Sequence, residues 1–285
     1  MADAASHPLP FVIDACGSFP PETVQVQYSP ASRPTTPEIE AAIAVEWERQ
    51  LELARGTDRV LFDGKLLRYV SHRVCPLGGG ETFELTVGPT CYRDFVGTNL
   101  FNRHRAEEFG RQRFANPVGT TATLVSADGL ICYGRRSPRV SYHAGHVHTF
   151  GGALETADQA ADGSIDAFAS VRRELKEELE LGAGDLEGLS CVGLIRDREI
   201  HQPEMLFEAR LRMTAEELGR RWQSAEARDE HDEIVSLADR PEAIVPFIRS
   251  CGLIAPVAIG ALFIHGRLAW GEDWFHAAAR DFSAS

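Results

Sequence analysis

"RRELKEELEL", residues 172–181, is the stretch on which the fold turns. Its residues favour helix, and at 3.6 residues per turn each step rotates the side chain by about 100°. Phe168, Val171, Leu175 and Leu179 then fall within about 80° of one another, an apolar stripe that faces a core. Glu174, Glu177 and Glu178 run along one flank of that stripe, whereas Arg173, Lys176 and Glu180 occupy the far side. Glu174 opposes Glu178 at i,i+4 and Glu177 at i,i+3, like-charge pairs that each destabilise a helix by roughly 0.2–0.5 kcal/mol. A helix seeking only solubility would interleave lysines among its acids. A helix built to hold a divalent cation would cluster them, and oxygen donors of this kind suit Mg²⁺ or Mn²⁺. Helix geometry alone leaves both alternatives open.

Composition narrows the field. The 285-residue chain is 44% hydrophobic and 25% charged, the balance of a globular protein with ample material for a core. A net charge of −13 argues against broad affinity for nucleic acid or an anionic membrane. An anionic substrate would therefore need local arginines or a bound cation. The six cysteines have no CxxC spacing, which points to neither a zinc site nor a disulfide framework and fits a reducing cytoplasm. The N-terminus lacks the basic segment and apolar run of a secretory leader. The most membrane-like segment, "CGLIAPVAIGALFI" (251–264), is too short to span a bilayer; a buried helix starting near Pro256 is expected instead.

Along the chain, residues 1–9 read as a loose tail. "FVIDA" and "ETVQVQYS" have strand character, the second alternating Val24, Val26 and Tyr28 on one face. A proline-threonine entry then leads into helical periodicity through Ile39, Ile43, Trp47 and Leu51. "KLLRYVSHRV" and "ETFELTV" form strands around a "PLGGG" turn, and "YRDFVGTN" leads into a charged helix over roughly 99–113. A change of rhythm at "ANPVGT" places a domain boundary near 117, giving a smaller α+β unit over 1–116 and a larger unit over 117–285. In the second unit, strands "TATLVSA" and "LICYGRR" precede a His- and Gly-rich loop and the glutamate helix. Strands "CVGLIRD", "EMLFEARLRM" and "EIVSL" follow, with helices near 214–224, 241–249 and 256–264. Helices packed on a mixed sheet make this an α/β architecture.

"GGALE" (151–155) followed by "RRELKEELEL" resembles the Nudix box, a Gly-Gly turn, a loop and a helix carrying Arg-Glu-x-x-Glu-Glu. The resemblance implies a Nudix α/β/α sandwich. It also implies that Arg173 orients carboxylates while Glu174, Glu177 and Glu178 ligate Mg²⁺, with Mn²⁺ as an alternative. Pyrophosphate cleavage requires neutralisation of developing charge and an activated water, which clustered divalent ions supply. Three departures stand out. Glu180 occupies the position of the family's glycine, Ile165 that of its upstream glutamate, and the loop between Gly152 and Arg173 is longer than the pattern. Ile165 removes a carboxylate that usually anchors the helix. "LTVGPTCYRDFVGTN", "NPVGTTATLVSADGLICYGRRS" and "IAPVAIGALFIHG" are similar, in order and spacing, to the Nudix-type diphosphatases of UDP-glucose and UDP-galactose in animals. That likeness implies hydrolysis of a UDP-sugar to UMP and sugar 1-phosphate. The alternatives are ADP-ribose or another nucleoside diphosphate derivative as substrate, or a degenerate module that binds a nucleotide without turnover.

Other candidates have structural counterparts. In "YRDFVGTN", Tyr92 or Phe95 could stack on uracil while Arg93 or Asn99 makes polar contacts; equally, Arg93 and Asp94 could fix a turn. Arg135 and Arg136 end a strand before the box and could grip phosphate oxygens, as could Arg196 and Arg198 after a later strand. Gly151 and Gly152 would admit substrate against the backbone. His143, His146 and His148 suggest zinc, but with no cysteine or carboxylate to complete a usual site they fit better as pocket cover. In "RDEHDEI", Glu230, ahead of Glu233, is the candidate for an additional catalytic or metal-binding acid. Thr214 should cap a helix.

Overall fold

The computed structural model describes residues 9–57, 61–140 and 142–284; the expected tail lies outside them except for Leu9. The first elements are β1 (Phe11–Phe19), β2 (Val24–Tyr28), α1 (Pro37–Ala54), β3 (Lys65–Leu77) and β4 (Gly80–Cys91). Short helical turns α2 (Tyr92–Phe95) and α3 (Ala106–Phe109) follow, then β5 (Gly119–Val125) and β6 (Leu130–Arg136). The box region comprises β7 (Val147–His148), β8 (Phe150–Ala153), β9 (Ser164–Ile165) and α4 (Ala167–Leu179). The chain closes with β10 (Leu186–Asp197), β11 (Pro203–Leu211), α5 (Ala215–Trp222), β12 (His231–Ala238), α6 (Ile244–Ser250) and α7 (Pro256–Ser283).

Among the described residues, eight strands form one sheet in the order β1-β10-β11-β5-β6-β12, with β8 paired to β5 and β7 to β6. The β11–β5 pair is parallel. Every residue of β5 is buried, as expected of a strand covered on both faces. Strand periodicity shows how: Met205, Phe207, Ala209 and Leu211 of β11 share a core with Phe168, Val171, Leu175 and Leu179 of α4. Leu206 between them joins the opposite core, beneath α6 and α7. The result is the expected α/β/α sandwich, with α4 and α5 on one side and α6 and α7 on the other.

A second sheet has the order β3-β4-β2-β9. The two sheets exchange strands across residue 117. β1, early in the chain, adds to the large sheet beside β10, and β9, from the box loop, adds to the small sheet beside β2.

Two expected helices differ. Residues 99–113 do not form one helix: a wide turn over 96–100 leads to short helical turns at 103–105, 106–109 and 111–113. Thr98 and Asn99 bend the chain by bonding forward to the backbone N–H groups of Ala115 and Asn116, which a continuous helix would forbid. The last helix starts at Pro256 as expected but runs to Ser283, with a kink at Gly271, where φ is +87°. Trp270, Trp274, Phe275 and Phe282 beyond residue 264 are partly buried against the core and extend it.

α7 also buries His265 between Glu208 of β11 and Asp239 after β12, at 2.7 and 2.8 Å. Burial alone would push the imidazole pKa down, but the hydrogen bonds to Asp239 and Glu208 outweigh it and raise it to about 9. Because the folded pKa lies above the ordinary value near 6.5, this stabilisation is complete below that pH and is lost as pH rises through about 9. Denaturant unfolding should show stability falling by about 3 kcal/mol between pH 6.5 and 9.5. In His265→Gln most of that slope should vanish; an unchanged slope would contradict the assignment.

Candidate active site

The approach of α4 to β8 decides the site. Glu178 lies on the buried flank of α4 with 2% exposure, and its carboxylate accepts the backbone N–H of Gly151 at 3.0 Å. A Cβ on Gly151, at φ +147°, would meet the carbonyl oxygen of Thr120 in β5 at 2.0 Å, so only glycine lets this strand pair so closely. A Cβ on Gly152 would meet the carboxyl carbon of Glu174 at 2.6 Å. Gly151 therefore allows the close strand pairing, and Gly152 leaves room for the Glu174 carboxyl.

Above these residues opens a cavity of about 550 Å³, lined by Glu155, Glu174, Gln202, Glu204 and Glu230, with Arg136 and Arg139 as its cations. Burial pushes the Glu174 carboxyl up to about 7, Arg173 opposing the shift and Glu177, Glu230 and Glu155 adding to it. Glu178 is held well above the usual carboxylate range by burial and then by Glu230. Glu204 is raised to about 8 by burial and by Asp197, with Arg136 acting against the shift. Tyr92, Phe95 and Tyr142 also line the cavity. Their rings are paired at centroid distances of 6.2 Å (Tyr92–Phe95) and 6.4 Å (Phe95–Tyr142).

The sequence candidates separate into those that face this cavity and those that do not. Tyr92, Arg136, Gly151, Gly152, Glu174 and Glu230 line it, and Glu178 lies behind Gly151. Glu177 is half-buried nearby and acts electrostatically on Glu174. Arg173 reaches Glu174 at 3.0 Å and Asp158 at 3.6 Å. Arg135 does not line the cavity: successive strand residues point to opposite faces, and it bonds Glu233 at 2.6 Å and the carbonyl of Cys251 at 3.3 Å. Arg93 does not line it either; its backbone N–H donates to Asp63, and its side chain lies 4.0 Å from Asp94. Asn99 is fully buried, its amide nitrogen donating to the carbonyl of Ile200 at 2.7 Å and to Asn116 at 2.9 Å. Those bonds make Asn99 a clamp between loops. Arg196 and Arg198 bond Asp14 and the carbonyl of Leu9, respectively. His148 lines the cavity.

Glu204, Glu155, Gln202 and Tyr142 were not singled out from the sequence. Glu204 had a usable signal: it is an acid opening a buried strand, and its partner in the parallel register is Gly119, where a Cβ would meet the carboxylate at 1.7 Å.

The donor chemistry fits a divalent cation. Carboxylates crowded into a buried cavity repel one another and resist ionisation, and a hard cation relieves both penalties. Among the described residues no three His, Cys, Asp or Glu side chains converge as a ready-made cage. Mg²⁺ ordinarily keeps several waters and takes only one or two protein carboxylates.

No protein-family model matches the chain. Proteins named uridine diphosphate glucose pyrophosphatase NUDT22 are similar to it. The human one is 30% identical over 203 residues, covering 64% of this chain and 66% of that protein. The bovine one is 26% identical over 281 residues, covering 88% and 94%. Nudix hydrolase 9 of Arabidopsis thaliana is 28% identical over 220 residues, covering 67% and 69%. The chain belongs to the Nudix hydrolase superfamily. The match to the human relative spans just under two thirds of that protein's length.

Membership sharpens the departures from the box. Ile165 is buried in β9, opposite Val26 of β2. A carboxylate near Arg173 comes instead from Asp158, in the longer loop, which also accepts the Glu155 N–H at 2.8 Å. Glu180 ends α4 in the left-handed conformation, φ +57° and ψ +31°, and Leu181 N–H closes back on the Leu175 carbonyl at 3.2 Å. This is the helix termination that normally takes glycine. Glu180→Gly should therefore raise stability by about 0.5–1 kcal/mol, read as a higher denaturation midpoint. A lower midpoint would show that Glu180 contributes a favourable contact.

Proposed function

We propose that this chain hydrolyses the pyrophosphate of a UDP-sugar, UDP-glucose or UDP-galactose, to UMP and sugar 1-phosphate. The observation that carries this reading is one cavity lined by two unlike sets of side chains, acids that include Glu174 of α4 and three aromatic rings, with Arg136 lining the same space. The relatives named for UDP-glucose support the choice of substrate.

The chain's own groups divide the work. Tyr92, Phe95 and Tyr142 offer ring faces on which the planar uracil stacks. Arg136 is held by a bond from its Nε to the carbonyl of Tyr142 at 3.1 Å and directs its remaining N–H groups to phosphate oxygens. One or two of Glu174, Glu177 and Glu178 at a time would hold Mg²⁺, or Mn²⁺, the rest of its shell being water, with Arg173 beside Glu174 and Asp158 beside Arg173. When bound, the cation offsets phosphate charge and makes water a better acid. Glu230, at the cavity edge, is placed to accept the proton of the attacking water. The division into 1–116 and 117–285 gains a functional sense here: Tyr92 and Phe95 come from the first unit and the acids from the second.

Incubation with UDP-glucose and Mg²⁺ should release UMP and sugar phosphate, and chelation should stop it. Faster turnover of ADP-ribose would displace uridine from the reading, and a panel of nucleotide sugars left intact would remove the activity. Glu178→Gln keeps an oxygen for the Gly151 N–H but loses the charge. It should lower turnover at least about a hundredfold with little change in the unfolding midpoint. A near-native rate would show that Glu178 is not part of the machinery.

A further inference from the structure

Behind the active cavity lies a second one of about 320 Å³, with Arg68, Arg111, Arg196 and His201 among its lining residues and no carboxylate side chain. Such a basic recess is unexpected in a chain of net charge −13. Arg68 is the anomaly within it. Its side chain has 7% exposure, yet its partners are the carbonyls of Ala31, Ser32 and Tyr69, and its Nε is buried without any partner. Buried charges are ordinarily paired, and among the described residues no carboxylate lies within ion-pair distance of this one. Arg196 is offset by Asp14 at 2.5 and 2.8 Å, whereas the exposed Arg111 has no ion-pair partner among the described residues. His201 records the resulting field, its pKa lowered first by burial and then by Arg111 and Arg196.

We propose that this cavity is an anion site that takes the phosphoryl group of a small ligand. Arg111 supplies charge-assisted donors of the kind phosphate oxygens accept, and the buried, unpaired charge of Arg68 adds to the attraction. The volume is at the lower end for small-molecule pockets and exceeds the needs of a bare oxyanion. Tyr69, Val70 and Pro203 give it an apolar side, so a phosphate monoester fits better than free phosphate. The site is distinct from the catalytic cavity but shares a wall with it. Asn116 and His201 face the second cavity, and their chain neighbours Pro117 and Gln202 face the first. Asn116 and His201 both have left-handed backbones, φ +42° and +60°. The proposal does not depend on which nucleotide the catalytic cavity takes.

Calorimetric titration of the full chain with inorganic phosphate and with glycerol 1-phosphate, at constant ionic strength, tests it. Saturable binding is expected, weakened at least about tenfold in Arg111→Glu, largely restored in Arg111→Lys and unaffected by Arg136→Ala. Tighter binding of glycerol 1-phosphate identifies a monoester as the ligand; equal or tighter binding of inorganic phosphate identifies the free ion. Binding that survives Arg111→Glu, disappears in Arg136→Ala or never saturates overturns the proposal. Because Arg111 is exposed, its variants should unfold at the native midpoint, so lost binding reports on the site.

Discussion

The hydrogen bond from the Gly151 N–H to the Glu178 carboxylate ties the glutamate helix to the sheet, and much of the site's geometry follows from it. It brings α4 close on β8, with the Glu174 carboxyl in the space that a Gly152 side chain would take. It requires β8 to lie close on β5, which requires Gly151 to have none against Thr120. A carboxylate taken this far from water would ordinarily be an expensive defect. Here the same burial leaves Glu174, Glu178 and Glu204 poorly solvated around one space, with Arg136 as a nearby positive charge. Stability and chemistry therefore pull on the same carboxylates, as expected where a site stores electrostatic strain.

The apolar stripe of α4 was legible because helical periodicity is a local property, and all four of its residues are buried. The same logic worked for α1, whose Ile39 and Ile43 are buried behind the Thr36 cap, and for the capping box at Thr214. It failed over 99–113, where charge and helix propensity suggested a helix. Side-chain bonds from Thr98 and Asn99 to residues 115 and 116 decide the local structure there, and such contacts leave no periodic trace. Among the site residues, the acids of the helix were visible as a violation of charge spacing. Arg135 and Arg136 were not separable in sequence, although strand alternation dictates that only one of them faces the cavity. Glu204 escaped notice because its meaning depends on Gly119 across a parallel pair, some eighty-five positions away.

The strand exchange also bears on how the cavity is built. β1 stitches the first unit to β10, and β9 stitches the box loop to β2. Ile165, which looked like the loss of an anchoring carboxylate, is buried in that second stitch. The longer loop thus gains a strand, and Asp158 in the same loop presents a carboxylate to Arg173. One structural change accounts for two apparent defects of the box. A carboxylate outside the helix now approaches the arginine, at 3.6 Å, from a loop held by the neighbouring sheet.

That arrangement makes the glutamate helix answerable to the first unit. Arg173 touches both Asp158 and Glu174, and Asp158 stays in place because its loop is pinned by β9 on β2. Two of the three cavity rings come from the same unit, since Tyr92 and Phe95 directly follow β4, the strand beside β2. A shift of the small sheet would therefore move those rings and Asp158, the partner of Arg173, together. Coupling of this kind follows from contiguous packed contacts. It gives a physical reason for the residues before 117 to pack against the rest of the chain: they contribute Tyr92 and Phe95 to the cavity and brace the loop that carries Asp158.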